Sequence, residues 1–304
     1  MGTTLHVAVA APSRADGIQA IEDAFAAVRG VDSLLSTWRD DSEIARLNHA
    51  APQTPVRLSH DLYAWLQEAA RWTRLTAGAF DPSIGSLVDA WDLRGRGRVP
   101  SRAELAHARA GSGLDRFVFS ARGRTVSRSD SAAWIDTGGF GKGIALREAR
   151  RALTRRGVSS GLLNFGGQVL TIGEDRSGRD WIVPVAHPSR RTEPVAWLRC
   201  RDRSASTSSQ SERFVTVGGR RLGHVLDPRT GRPVSPWGSV TVVAEDPAVA
   251  DVVSTALLVL GPEAGLRWAQ GRQDVGVLFL IERAGGLQRR WNDALKQFLV
   301  TSDS

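Results

Sequence analysis

The stretch WIDTGGFGKGIALREARRAL, residues 134–153, places a glycine-rich turn directly before a helical pattern. Asp136 and Gly139 lie in the turn, and Lys142 follows at the start of the predicted helix. Lys142 is one of only two lysines among forty Lys and Arg residues. Free backbone N–H groups at a helix N-terminus, with a lysine beside them, favour an anion. The alternative is a strand-to-helix turn that needs glycine only for its positive φ.

This stretch does not fit the two common phosphate-binding patterns. Asp136 and Gly143 occupy the positions at which a P-loop requires Gly and Ser or Thr. Ile144 occupies the position of the last glycine in the dinucleotide-binding motif. The turn therefore needs other residues before it indicates a function.

Helical and strand patterns form separate groups along the chain. Apolar residues at helical spacing predict two core-facing helices, one beginning near Ile18 and one opened by Ser59 as N-cap. The first has Ile18, Ile21, Phe25 and Val28 on its apolar face, and the second has Leu62, Trp65, Leu66, Ala69 and Trp72. From residue 161 onward, short apolar runs predict strands in hairpin succession, interrupted by one strong helix at 248–260. This order indicates the α+β class with mixed or antiparallel sheets and grouped helices, in a single unit over residues 1–304 or in two interleaved lobes.

Composition excludes several classes of protein. The net charge is +8, yet the arginines are spread along the chain among Asp and Glu, so we expect no nucleic-acid binding. No run approaches the roughly 18 consecutive apolar residues of a membrane span, and no signal peptide is recognisable. We therefore expect a cytoplasmic protein without a membrane span; a trimmed N-terminus would instead allow a periplasmic or membrane-anchored lipoprotein. The single cysteine, Cys200, excludes an intrachain disulfide, and we expect it to be a buried strand residue.

Two further motifs carry polar side chains that suit chemistry. Asp251 and Thr255 lie four residues apart on the predicted helix, so a carboxylate and a hydroxyl share one face, and both are ligands that Mg²⁺ accepts. Alternatively, Asp251 only complements the helix dipole and Thr255 only bonds back to a helix carbonyl. His224 precedes an Asp-Pro turn, where an ordinary half-buried strand histidine is the simpler interpretation.

Taken together, these motifs resemble the FAD:protein FMN transferase family, called ApbE. The resemblance covers nearly the whole chain. It rests on eight segments in register: MGT at 1–3, STWRDDSEIARLN at 36–48, TAGAFDPSIGSLVDAW at 76–91, IDTGGFGKG at 135–143, LLNFGGQV at 162–169, STSSQSERF at 206–214, GHVLDPRTGRP at 223–233 and ADVVSTALLVLG at 250–261.

The resemblance implies an Mg²⁺-dependent bacterial enzyme with FAD as substrate. Such an enzyme splits the FAD diphosphate, transfers FMN to a Thr or Ser hydroxyl of an acceptor flavoprotein and releases AMP. The family's metal ligands match the side chains of Asp251 and Thr255 and a backbone oxygen of Gly139. Its catalytic residues match His224, as base for the acceptor hydroxyl, and Lys142. Its FAD contacts match Met1, Thr37, Trp38, Arg39, Asp81, Asp136, Lys142 and Leu226.

Several positions depart from the family pattern. Ser209 and Ser211 replace a usual Gly and aromatic, and Gln168 stands where an acidic residue is common. Trp38 suits either the cover of an FAD ring or a place in the core. Two other functions fit the same motifs: an FAD pyrophosphatase that uses water as acceptor, and a flavin-binding protein without catalysis.

Overall fold

The computed structural model of the protein describes residues 2–211 and 214–300. Seven α-helices lie within these ranges: α1 Arg14–Leu35, α2 Glu43–His49, α3 His60–Leu75, α4 Gly85–Ala90, α5 Arg102–Ala110, α6 Gly141–Arg155 and α7 Pro247–Ala269. The first strands are β1 Leu5–Val9, β2 Val56–Arg57, β3 Phe117–Ser120, β4 Thr125–Arg128, β5 Gly161–Phe165, β6 Gln168–Ile172, β7 Trp181–Ala186 and β8 Pro194–Cys200. The remaining strands are β9 Ser204–Ser209, β10 Phe214–Val217, β11 Arg220–Gly223, β12 Leu226–Asp227, β13 Arg232–Pro233, β14 Gly238–Ala244, β15 Val275–Arg283 and β16 Gly286–Trp291.

The chain forms two compact units that interleave in sequence. The first unit takes the chain up to Val31, then Phe140–Ser209, then the chain from Trp237 onward. The second unit takes Asp32–Gly139 and Gln210–Pro236.

The first unit is built on a seven-stranded sheet with the order β1-β5-β6-β9-β14-β15-β16. Every neighbouring pair in it is antiparallel. A β7–β8 ribbon packs on part of this sheet, and the apolar cluster of the unit includes Leu198, Cys200 and Leu280. The predicted buried position of Cys200 is confirmed. On the sheet, α7 packs against β9, β14 and α6.

Within residues 2–211 and 214–300, one helix, α7, is long and apolar enough to cross a membrane by length and composition. Most of that helix is nevertheless buried inside the structure, as expected of a core helix. It bends at Gly261, whose φ is 76°, immediately before Pro262. The sequence pattern predicted a helix over 248–260, and that range ends at the residue before the bend.

The second unit holds helices α2 to α5, a three-stranded sheet in the order β2-β4-β3, and the hairpins β10–β11 and β12–β13. The Ser59 side chain accepts a hydrogen bond from the Leu62 N–H, so the predicted N-cap of α3 is confirmed. An apolar cluster around Leu87, Trp91 and Leu226 forms part of the core of this unit.

The predicted apolar face of α1 is wrong in part. Ile18 is 48% exposed, and the residues that α1 buries are Ala20, Ala24, Val31 and Leu35. The buried stripe thus runs along Ala20 and Ala24 in the first half of the helix and along Val31 and Leu35 at its end. Spacing alone predicted the helix correctly but weighted the bulky residues too heavily when choosing its buried face.

Candidate functional site

Lys142 and Asp251 meet in the first unit where α6 packs on α7. Lys142 lies in the first turn of α6, and its Nζ is 3.4 Å from Asp251 Oδ1. The Gly143 N–H donates to Asp251 Oδ2 at 2.9 Å. Asp251 is only 2% exposed, so its carboxylate is buried between one ammonium group and one backbone donor at a helix N-terminus.

Gly143 makes this approach possible. A Cβ at this position would lie 2.5 Å from the backbone oxygen of Pro247 and 2.6 Å from the Cα of Ala248. The two helices therefore cross with backbone against backbone, which only glycine permits. The close crossing is what brings the α6 N–H within hydrogen-bonding distance of the Asp251 carboxylate.

Thr255 lies one turn after Asp251 on α7. Its hydroxyl donates to the Asp251 carbonyl oxygen at 3.1 Å, which is the back-bonding geometry that the sequence left open. A hydroxyl has one proton and two acceptor lone pairs, so this bond leaves the Thr255 oxygen able to bind a cation.

A seam of serine hydroxyls fixes this part of α7 on β9. Ser254 Oγ donates to the Asp251 carbonyl oxygen at 3.0 Å. It also lies 3.2 Å from Ser206 Oγ and 2.9 Å from Ser208 Oγ on β9. Buried hydroxyls that satisfy one another hold two elements in one register. These hydrogen bonds thus fix to strand β9 the turn of α7 on which the metal site is predicted.

The donor chemistry of Asp251 and Thr255 fits Mg²⁺. Magnesium is commonly bound by one or two carboxylates, with water and substrate phosphate oxygens completing the octahedron. Among the residues that the structure describes, no group of three or more His, Cys, Asp or Glu side chains comes together as an all-protein metal cage. A site with one buried carboxylate and one hydroxyl agrees with a metal that arrives together with a phosphate-bearing substrate. The predicted carbonyl ligand, Gly139, belongs to the second unit and stays a prediction.

In the second unit, Arg94 joins three predicted FAD contacts. Its guanidinium donates to the backbone oxygen of Thr37 at 3.0 Å, to Thr37 Oγ1 at 2.7 Å and to Asp136 Oδ2 at 2.8 Å. The same group lies 4.8 Å from the centroid of the Trp38 ring. The other Asp136 oxygen accepts from the Gly138 N–H at 2.7 Å, so both oxygens of that carboxylate are held.

Trp38 projects into solvent and is 65% exposed. The alternative of a core position for Trp38 is therefore wrong. The next residue, Arg39, is also exposed and forms a bidentate pair with Asp41 at 2.9 and 2.7 Å. Hydrogen bonds from Arg39 hold the pKa of the Asp41 carboxyl below its usual value.

Asp81 is a largely enclosed carboxyl group in the second unit. It accepts hydrogen bonds from the Ser83 N–H at 2.8 Å and from the Leu114 N–H at 3.2 Å. Burial raises the pKa of Asp81 above its usual value, although these two N–H groups oppose the shift. The Ser83 hydroxyl lies beside the same carboxyl and also opposes the shift. A carboxyl group whose pKa is raised by burial is a candidate for a functional site.

His224 lies in the second unit between β11 and β12 and is partly buried. Gln210 fixes the chain next to it: Gln210 Nε2 donates to the backbone oxygens of Val225 and Val234 at 2.7 and 2.9 Å. Gln210 Oε1 accepts from the Val225 N–H at 3.0 Å. Leu226 is buried in the apolar cluster of this unit, and its contact with FAD stays a prediction.

The structure thus groups the predicted residues into two sets. The first unit brings Lys142, Asp251 and Thr255 together. In the second unit, Thr37, Trp38 and Asp136 share the partner Arg94, whereas Arg39 turns away to Asp41. Met1 lies outside the described residues.

Comparisons with known proteins identify the family of this chain. The profile of the ApbE family matches residues 1–279. This chain belongs to the ApbE family. Its relatives include the FAD:protein FMN transferase of Klebsiella pneumoniae strain 342, 30% identical over 276 residues, which are 88% of this chain and 79% of the relative. Another is the FAD:protein FMN transferase of Vibrio cholerae serotype O1, 28% identical over 305 residues, which are 98% of this chain and 90% of the relative.

Solved structures confirm the predicted ApbE-like α+β fold. The flavin transferase ApbE from Vibrio cholerae superimposes with a TM-score of 0.86 at 28% identity, covering 98% of this chain and 96% of that one. The ApbE protein of Thermotoga maritima superimposes with a TM-score of 0.90 at 27% identity, covering 99% and 97%.

Two departures from the ApbE pattern have a structural role here. Gln168 Nε2 donates to the Pro247 backbone oxygen at 2.8 Å and to Ser204 Oγ at 3.2 Å, which ties β6 to the start of α7. Ser209 Oγ donates to the Gly238 backbone oxygen at 3.3 Å, between neighbouring strands. Ser211 precedes residues 212 and 213, which lie outside the described ranges.

Sequence reasoning missed three residues that organise the site. Arg94 lies in DLRGRGRVPS, which glycine and proline mark only as a loop. Gln210 lies between Ser209 and Ser211, the positions compared with the family. Asn48 Oδ1 accepts from the Ile135 N–H at 2.9 Å, and Asn48 Nδ2 donates to the Ile135 carbonyl oxygen at 3.0 Å. These two bonds fix the start of the glycine-rich turn. Nothing in the pattern of α2, which also carries Glu43, Arg46 and His49, distinguishes Asn48 from the other polar residues of that helix.

Proposed function

We propose that this protein is an FAD:protein FMN transferase that requires Mg²⁺ and transfers FMN from FAD to a Thr or Ser hydroxyl of an acceptor flavoprotein. The observation that carries the proposal is the buried Asp251 carboxylate beside the Lys142 ammonium group at the N-terminus of α6. Membership of the ApbE family supports the flavin chemistry.

Lys142 lies next to Asp251 and would also reach a diphosphate oxygen of bound FAD. At 3.4 Å its contact with Asp251 is long for a charged hydrogen bond, and its side chain is 31% exposed. With Asp251 serving as a metal ligand, the Lys142 ammonium group would be free to contact a diphosphate oxygen of FAD. A flexible point charge suits this exchange better than the rigid fork of arginine, which accounts for a lysine at this position in a chain with only one other lysine.

Asp251 and Thr255 would hold Mg²⁺, and the bound ion would neutralise part of the diphosphate charge. The residues of the chain do the rest. Lys142 and the backbone N–H groups of the first turn of α6 stabilise the negative charge that grows on the non-bridging oxygens. His224 accepts the proton of the acceptor hydroxyl. The hydroxyl oxygen forms a new bond to the FMN phosphorus as the bond to the AMP oxygen breaks, and AMP leaves with that oxygen.

The test is release of AMP from FAD by the full chain, with and without Mg²⁺ and with and without an acceptor flavoprotein. We expect release that requires Mg²⁺, rises with acceptor and yields acceptor protein carrying covalent flavin. In Asp251→Ala the rate should fall at least about 100-fold, because the metal ligand and the partner of Lys142 are both lost.

Glu263→Ala is the matched control. Glu263 is an exposed carboxylate on the same helix, and its Arg290 partner lies at 3.6 Å on the surface. Equal loss in both variants would point to a general effect on α7 and contradict the assignment of the metal site. AMP release that is independent of acceptor would indicate a pyrophosphatase, and tight FAD binding without AMP would indicate a flavin-binding protein.

A further inference from the structure

Arg94 lies between two tryptophan rings in the second unit. Its guanidinium carbon is 4.8 Å from the centroid of Trp38 and 4.5 Å from the centroid of Trp134. Both distances fall within the range at which a cation is attracted to the face of an indole ring. The three side chains therefore form a stack with the cation in its middle.

One end of this stack is rigid. Trp134 Nε1 donates to Asp89 Oδ2 at 2.8 Å. The Trp134 ring also lies directly on Gly85, where a Cβ would come within 2.0 Å of it. Trp134 cannot move toward α4, and it gives Arg94 a fixed surface to rest on.

The other end of the stack is open. Trp38 is 65% exposed, and Arg94 lies on one face of its ring. An exposed tryptophan on a loop ordinarily samples several rotamers. Here the backbone of Thr37 is held by Arg94 at 3.0 Å, so both the ring and the chain that carries it are fixed from the same guanidinium.

We propose that Arg94 is a positioning residue for FAD, acting through Trp38 and Asp136. It holds the Trp38 ring in one orientation, in which the ring is a platform for one of the two planar ring systems of FAD. It also holds the Asp136 carboxylate in one orientation. The inference rests on the proposed function, since it gives a role to Trp38 and Asp136, which the resemblance to the ApbE family assigns to FAD binding. It adds a residue that does not itself contact FAD.

The stack needs arginine rather than any cation. Two nitrogens of the guanidinium serve three acceptors on Thr37 and Asp136 while its flat face meets two rings. A lysine at this position keeps the charge but has neither the fork nor the plane. We therefore expect Arg94→Lys to fail to restore FAD affinity, although it conserves the charge.

The experiment measures FAD binding by the full chain without Mg²⁺, so that no turnover competes, and then KM and kcat for AMP release with Mg²⁺. Arg94→Ala should raise both the Kd and the KM for FAD about tenfold and leave kcat within about twofold, because a preorganised platform contributes to binding and not to the chemical step. Arg94→Lys should behave similarly. Arg96→Ala, an exposed arginine two residues later in the same loop, is the matched control and should bind FAD like the unaltered protein.

A double-mutant cycle shows whether Arg94 acts through Trp38. In a Trp38→Ala background, the effect of Arg94→Ala on the Kd should shrink from about tenfold to about threefold, the remainder being the part that acts through Asp136. Thermal unfolding of each variant is the check on folding. If Arg94→Ala does not fold, Arg94→Lys alone decides the question, with the same expected tenfold loss.

Three outcomes overturn the inference. One is a Kd for FAD within about twofold of the unaltered protein in both Arg94 variants. Another is an undiminished effect of Arg94→Ala in the Trp38→Ala background. The third, absence of FAD binding by the unaltered protein, overturns the proposed function as well, so the two failures are distinguishable.

Discussion

Replacing Gly143 with alanine should separate α6 from α7 and weaken the Asp251 site. The added Cβ would lie 2.5 Å from the Pro247 oxygen, 2.6 Å from the Ala248 Cα and 2.8 Å from the Asp251 Cβ. Ordinary van der Waals contact begins near 3.4 Å. Since two of the three neighbours are backbone atoms, no side chain can rotate away, and the helices must move apart by roughly 1 Å.

Two costs follow from this movement. Overpacking of a close contact costs about 1–3 kcal/mol. The hydrogen bond from the Gly143 N–H to Asp251, at 2.9 Å, would lengthen beyond a good bond, and losing a bond to a buried charged group costs about 1.5–3 kcal/mol. We therefore expect Gly143→Ala to lower the free energy of unfolding by about 3–5 kcal/mol.

Urea unfolding followed by tryptophan fluorescence measures this loss, and Mg²⁺-dependent AMP release measures the effect on the site. Gly30→Ala on α1 is the matched control, since no atom outside its own helix turn lies within 4 Å of the added Cβ. That variant should be unchanged or more stable by about 0.5–1 kcal/mol, because alanine favours helix over glycine. A loss below about 1 kcal/mol in Gly143→Ala, with full activity, would refute the close crossing as the source of the site.

Three further predictions concern single groups. Burial raises the pKa of the Cys200 thiol to about 12. Because the thiol of the unfolded chain loses its proton at a lower pH, the free energy of unfolding should fall as pH rises from about 8.5 to 12. Cys200→Ala should remove that part of the pH dependence of urea unfolding. The native thiol should also resist alkylation until the chain unfolds. Gln210→Glu would place a carboxylate against the Val225 and Val234 carbonyl oxygens, so the melting temperature of this variant should fall at neutral pH. It should recover in acid, because protonation of the carboxylate restores one donor. An unchanged melting temperature at pH 7 would contradict the Gln210 geometry. Asn48→Ala should leave the Ile135 N–H and carbonyl groups unpaired and cost about 2–4 kcal/mol in urea unfolding, whereas the exposed His49→Ala should cost almost nothing.

Elements fixed by local patterns were predictable from the sequence. The N-cap of α3 and the strands β5 and β6 match their predictions because capping and alternation act over a few residues. Strand β9 was not predicted, because its sequence SASTSS lacks the apolar alternation of a strand. Ser206 and Ser208 on this strand meet the Ser254 hydroxyl on α7, a contact that a scan for apolar residues does not detect.

The site shows the same division. Lys142, Asp251 and Thr255 were indicated by motifs, and the structure places them together. Arg94 was missed because its partners Thr37 and Asp136 lie 57 and 42 residues away in the chain. A loop without periodicity gives no sign of which distant groups it will meet. The contacts of Arg94 with Thr37 and Asp136 are visible only in the folded chain.

The interleaved path of the chain sets the order in which the two units can be completed during synthesis. In the seven-stranded sheet, β9 pairs with β6 over two residues and with β14 over six. A nascent chain that has reached Ser209 therefore presents β9 with most of its partner missing until β14 emerges from the ribosome. During that interval the ribosome makes 210–236, the last part of the second unit. The second unit thus has all of its residues before the sheet can close, and loss of the C-terminal strands would leave β9 as an unprotected edge.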